Sequence, residues 1–293
     1  MLRRSNLKRT VLLGTMIFMM APSVLKAQDS TVNAVRVAPT PVGTSVTVIE
    51  ESLTKKTPFA INLGLEMAEK IQKDEFTPKE NSLTMTIEPI YRFNETFVGS
   101  ARIAINQDNF GQHETTASDG TISLGIKGYD FNPEFKTVHA VSTVVPVAEK
   151  TVKTDRLKGS LSTSNGIAYT GLHFNLTYKL GLVRFFHEFT QNADGSPNLQ
   201  YRVSHLLDLK VPITEKWSIG TVGTYRNGFT YKGFERYSFI FDADLSYEVN
   251  QYLAMNIGTS TDGNALKSNG VDSNIKVFDE NTGSYRFGLS YTY

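Results

Sequence analysis

Between Phe59 and Tyr293 large apolar residues recur at every second position, and the chain's last nine residues show this most plainly. Tyr285, Phe287, Leu289, Tyr291 and Tyr293 alternate there with Arg286, Gly288, Ser290 and Thr292. A period of two belongs to β-strands with unlike faces and is incompatible with an amphipathic helix, whose apolar positions recur three and four residues apart. Tyr237, Phe239, Phe241, Ala243, Leu245, Tyr247 and Val249 repeat the pattern against Arg236, Ser238, Asp242, Asp244, Ser246 and Glu248. Phe59, Ile61, Leu63, Leu65 and Met67 repeat it against Ala60, Asn62, Gly64, Glu66 and Ala68. The spacing predicts an all-β chain of about twelve strands. They begin near Phe59, Leu83, Phe97, Ile122, Phe135, Leu172, Val183, Tyr201, Trp217, Tyr237, Leu253 and Tyr285. The fifth of these, from Phe135 to Val147, has no clear face.

Periodicity alone leaves open which face is wet, because a soluble sandwich alternates as well. The connections separate the two cases. Alternate links are very short: Asn94-Glu95, Asn132-Pro133-Glu134, Leu180-Gly181, Pro212 to Glu215, and Asn250-Gln251. Those between them are longer and polar, at Ile71 to Glu80, Asp108 to Gly120, Ala148 to Asn165, Asn192 to Asn198, Asn227 to Glu235 and Asp262 to Asn281. Tyr91, Phe93, Phe97, Tyr129, Phe135, Tyr178, Trp217, Tyr247, Tyr252 and Tyr293 fall beside the short links or at the terminus, where amphipathic rings meet lipid headgroups. Short turns on one side, long loops on the other and an aromatic girdle are the arrangement of a transmembrane barrel, with both termini on the short-turn side. An open sheet edge in lipid would strand backbone groups, so the twelfth strand is expected to pair with the first.

The amino terminus supports an exported protein. Arg3, Arg4, Lys8 and Arg9 precede an apolar core from Val11 to Met20, and Leu25-Lys26-Ala27 offers a cleavage site. Residues 1–27 therefore read as a signal peptide; the alternative, a retained span, is disfavoured because the core falls short of the ~20 residues a helix needs. Removing it turns 30 basic against 29 acidic residues into 25 against 29, leaving no basic excess to attract nucleic acid. Residues 28–56, interrupted by Pro39, Pro41 and Gly43, are expected to form a flexible periplasmic lead-in, with a short strand or a lumen plug as alternatives. The barrel is expected over 57–293. With no cysteine, disulfides, thiol nucleophiles and thiolate metal sites are excluded, and no cofactor is expected.

The closing segment, with its alternating apolar residues and terminal Tyr293, resembles the last strand of bacterial outer-membrane β-barrels. That resemblance implies a Gram-negative outer membrane, lipid as surroundings, and recognition of the terminal strand by the barrel-insertion machinery. It is general to the class, and no motif narrows it to one family.

The polar faces supply the candidate site. Glu66, Glu88, Arg102, Lys127, Arg184, Arg202, Asp208, Asp242, Asp244 and Arg286 are predicted to line the interior. Facing acids and bases there would set a transverse field in a narrow passive channel for small hydrophilic solutes or ions. The same residues could instead pair across the interior and hold it shut, leaving a structural barrel that acts through its loops. Asp242 and Asp244 share a face and could attract cations or be bridged by neighbouring bases. Catalysis is poorly supported. His139 and Ser142, and Ser204 and His205, fall on opposite faces of their strands, and nothing in the sequence specifies a Ser partner for His173. The loop residues Asp108, His113, Glu114 and Asp119 read as a solvated, charged loop, with a resemblance to the acidic and His sites of outer-membrane proteases as the alternative. The acidic loop with Asp262, Asp272, Asp279 and Glu280 lacks a spaced calcium motif.

Overall fold

The computed structural model describes residues 58–71, 80–109, 113–267, 270–280 and 282–293, so the expected signal peptide and lead-in lie outside the described residues. Among the described residues thirteen strands follow one another: β1 (Phe59–Lys70), β2 (Asn81–Arg92), β3 (Phe97–Asp108), β4 (Thr115–Ala117), β5 (Gly120–Asp130), β6 (Phe135–Val145) and β7 (Leu157–Thr170). Then come β8 (Asn175–His187), β9 (Leu199–Pro212), β10 (Trp217–Thr230), β11 (Glu235–Glu248), β12 (Leu253–Asn264) and β13 (Gly283–Thr292). All pairings are antiparallel and join chain neighbours, apart from β3, which pairs past β4 with β5, and the one that closes the sheet. β1 runs against β13 from Asn62↔Thr292 to Lys70↔Ser284, which turns the sheet into a closed up-and-down barrel. Main-chain bonds between Ile61 and the terminal Tyr293, at 3.2 and 3.0 Å, extend the seam to the last residue.

Twelve long strands make the wall, and β4 is a three-residue continuation beside β3. β3 pairs with β4 at its loop end and with β5 below, and the register slips between the two. Ser118 bridges the break, its hydroxyl accepting the Ala104 N–H at 2.9 Å.

The short turns share one chemistry. Asn94, Asn132 and Asn250 each accept the N–H groups two and three residues on, at 2.8–3.0 Å, and the Thr214 hydroxyl does the same at 3.2 and 3.0 Å. Side-chain acceptors of this length mimic a backbone turn, which is why Asn and Thr occupy these sites. The strand that follows opens on Phe97, Phe135 or Trp217, and rings pack along this rim, with Phe135–Tyr169 centroids 4.8 Å apart and Trp217–Tyr247 4.7 Å.

The structure corrects one region. Leu180-Gly181 is not a turn but the middle of β8, and the stretch assigned to a loop from Ala148 to Asn165 contains most of β7. The expected total of twelve survived because one strand had been split and another missed. The real turn lies at Gly171 to Phe174, closed by Gly171 N–H to Phe174 O at 3.1 Å. Tyr178 consequently sits within β8, opposite Leu207, and not beside a turn. The split also reversed the reading of the strand's second half. Tyr178, Leu180, Leu182 and Phe186 are the exposed residues of β8, so Val183 and Phe185 point inward.

Candidate functional site

The barrel's inner face carries the candidate site. Alternation and register place Glu66, Glu88, Arg102, Arg202, Asp208, Asp242, Asp244 and Arg286 on it. Lys127 shares that face but sits exposed near the short-turn end of β5. Arg184 does not. It lies opposite Tyr201 on the outward face, its guanidinium 4.2 Å above the Tyr201 ring. Its expected inward position rested on the false turn at Leu180-Gly181.

The charges gather on one sector. Arg286 lies 3.1 Å from Asp242 and 3.9 Å from Glu66, all three largely shielded from solvent, so one guanidinium links β13 with β11 and β1. Asn62 and Ser100 hydrogen-bond the Glu88 carboxylate, and Arg102 lies in its field. Ser260 holds Asp242, while the Ser246 hydroxyl donates to Asp244 at 2.7 Å. Asp208 stands between Lys179 and Lys210. Gly220, directly across from Asp244, leaves that carboxylate its space, since a Cβ there would lie 2.8 Å from Oδ1. Asp242 and Asp244 are therefore in one column but in separate settings, one bridged by arginine and the other held by serine.

The opposite sector is built mainly from short side chains, with Lys127 and Lys136 as its long ones near the short-turn end. Ser100, Ser123, Ser142 and Ser162 lie in register across β3, β5, β6 and β7, with the Ser142 and Ser162 hydroxyls 2.6 Å apart. Ser160, Ser164, Gly166 and Ala168 complete the inward face of β7. Toward the long-loop end, Arg202 and Arg236 flank Gly228 in one row, with Arg226 beside them and Arg202 5.2 Å from the Phe185 ring. Arg226 is missing from the expected interior set, and Asp262, expected in a loop, lies within β12. Two-residue spacing from Trp217 through Tyr225 would have placed Arg226 on the inward face.

The catalytic pairings stay apart. Ser142 faces inward, whereas His139 faces outward and contacts Asn165 at 2.8 Å. His205 is also outward, against the Tyr178 hydroxyl at 2.8 Å. In the loops, Asp119 caps the Val147 and Ala148 N–H groups, Asp272 pairs with Lys267 and Asp279 with Lys276. Among the described residues no three ligating side chains gather as a metal site.

A closed antiparallel barrel with an aromatic rim, an apolar outer face and a charged interior defines the class: a transmembrane β-barrel of the outer-membrane type. No protein-family model and no curated protein matches the sequence. Among solved structures, the chain is similar to the COG4313 outer membrane channel from Pseudomonas putida F1, with 7% identity over 80% of this chain and 94% of that one, at a TM-score of 0.52. It is also similar to the NanC porin, with 10% identity over 79% of this chain and 98% of that one, at a TM-score of 0.50. At such identities the likeness is one of fold.

Proposed function

We propose that this barrel is a narrow passive channel for small hydrophilic solutes or ions in a Gram-negative outer membrane. The observation that carries the reading is the uneven interior, with long charged side chains on the β8–β13 and β1–β3 sector facing the serine-rich wall of β5–β7. Short side chains leave room where long ones do not, and hydroxyls beside that room can replace part of a solute's hydration. Twelve strands also enclose more space than the eight that side chains alone can fill. In this reading the first 27 residues direct export, the short turns and both termini are periplasmic, and the seam strand ending at Tyr293 is what the insertion machinery engages. The channels among its structural likenesses agree with this reading at the level of fold.

A second reading has its own support. Arg286 bridges Asp242 and Glu66 across three strands and could help to brace a closed interior. Planar-bilayer recording of refolded protein, with the closed barrel checked by heat-dependent gel mobility, separates the two. Stable conductance steps are expected; a silent bilayer with correctly folded protein would sink the channel and favour a structural barrel acting through its long loops.

A further inference from the structure

The outer face of most of the wall is apolar, with Leu63, Leu65 and Met67 exposed on β1 and Leu180, Leu182 and Phe186 on β8. The outer face of β6–β7 differs. Thr137, His139 and Thr143 project from β6, and Thr163 and Asn165 from β7, on the side of exposed Leu161 and Ile167. Asn165 stands roughly 10 Å above the short-turn rim, given the rise of a tilted strand, and so within the hydrocarbon layer.

The hydrogen bonds there run in one direction. Tyr129 N–H donates to the Thr137 hydroxyl at 2.7 Å, and with the His139 proton on Nδ1 that hydroxyl donates to Nε2 at 2.9 Å. His139 Nδ1–H then donates to Asn165 Oδ1 at 2.8 Å. The chain ends on the Asn165 amide nitrogen, whose two N–H groups meet no acceptor among the described residues, at an exposed position. Lipid tails offer no acceptor, and an unsatisfied amide in hydrocarbon is costly.

We propose that the β6–β7 face is a self-association surface, on which a second copy of this chain packs about a two-fold axis along the membrane normal. A soluble partner cannot reach this depth. A two-fold brings the same patch against itself, so each Asn165 amide meets the partner's Thr163 hydroxyl or Asn165 carbonyl, polar against polar. The same operation sets β5 of one copy against β8 of the other. An outward groove of about 500 Å³, lined by Gly99, Ala101, Ile122, Leu124 and Val141, lies on that side, and the partner's β8 presents the exposed Leu182 and Phe186 toward it. This inference is independent of whether the lumen conducts.

Because the chain lacks cysteine, single-cysteine variants report one position each. Full-length protein in nanodiscs is weighed by native mass spectrometry, and Thr163→Cys and Leu65→Cys are oxidised in the membrane, with heat-dependent gel mobility confirming each barrel. A two-chain mass is expected, with Thr163→Cys forming a covalent dimer and Leu65→Cys remaining single. Asn165→Leu should weaken the dimer at least about tenfold while keeping the barrel folded. A single-chain mass, equal cross-linking at both positions, or an Asn165→Leu dimer as tight as the parent would each overturn the proposal.

Discussion

Arg286 is the residue on which the interior's charge balance turns, because it is the shared counterion of Asp242 and Glu66. Its contact with Asp242 is an ion pair rather than an aligned hydrogen bond, as the Asp242 oxygen has no hydrogen-bond partner by geometry. Removing one partner of a shielded pair leaves the other charge uncompensated, and such changes cost about 3–5 kcal/mol. Arg286→Ala is therefore expected to lower the urea midpoint of the folded barrel sharply, whereas the doubly changed Arg286→Ala, Asp242→Asn should recover part of the loss; an unchanged midpoint in the single variant would show that the bridge carries little. Outside the wall, Asp155 follows β6 in the loop before β7. Burial pushes its carboxyl above the ordinary range, against the opposing pull of Lys150 and an Asn192 hydrogen bond. A carboxyl whose folded pKa is raised binds its proton more tightly when folded, so its loop gains stability in acid and loses it as the pH climbs from the ordinary carboxyl value through the raised one. The Ala193 N–H, bonded to Thr154 O at 2.9 Å beside it, reports the effect. Its protection factor, corrected for intrinsic exchange, should fall across that interval and become flat in Asp155→Asn.

Whole strands were legible where lipid and lumen impose opposite demands on alternate residues, and illegible where those demands relax. β11 and β13 are read almost residue for residue, because Phe239, Phe241, Phe287 and Tyr291 alternate with charges and small residues. β7 was missed because both of its faces are modest, Ser160, Ser162 and Ser164 inward against Thr163 and Asn165 outward, and a Ser-, Gly- and Asn-rich stretch looks like a loop. β6 lacked a clear face for the same outward-facing polarity. β8 was cut in two because Leu180-Gly181 looks like a turn, although Gly181 is paired with Ser164 on one side and Ser204 on the other. That single error moved Arg184 to the wrong face, whereas the other expected interior residues kept their parity. Pairing density now gives β7 a test. Gly166 sits so close to the Tyr178 main-chain oxygen that any Cβ would collide with it. Gly166→Ala should destabilise the barrel by about 1–3 kcal/mol, as overpacking does, through strain between β7 and β8. The temperature at which the folded gel band disappears measures this, and a shift no larger than that of Gly223→Ala, where the added carbon meets nothing within 4 Å, would contradict it.

At the scale of the molecule, the two sectors of the wall should control different properties of a conducting lumen. Charge acts at a distance and sets which ions enter, while side-chain volume sets how many pass. Asp244→Asn and Arg202→Gln leave the bore nearly unchanged, so each is expected to shift the reversal potential in a salt gradient, toward anions for the first and toward cations for the second, with little effect on conductance. A large side chain on the serine wall should do the reverse. Ser142 lies within the row running from Ser100 to Ser162, and its inward hydroxyl is hydrogen-bonded to the Ser162 hydroxyl at 2.6 Å. Ser142→Trp would fill the space that the short side chains leave, and in a barrel this narrow it should at least roughly halve the single-channel conductance while leaving ion preference nearly as it was. Gel mobility of the unheated protein establishes that the variant barrel is closed before it is recorded. If Ser142→Trp conducts like the parent, the passage does not run along β5–β7; if it shifts selectivity as strongly as Asp244→Asn, the division of labour between the two walls fails.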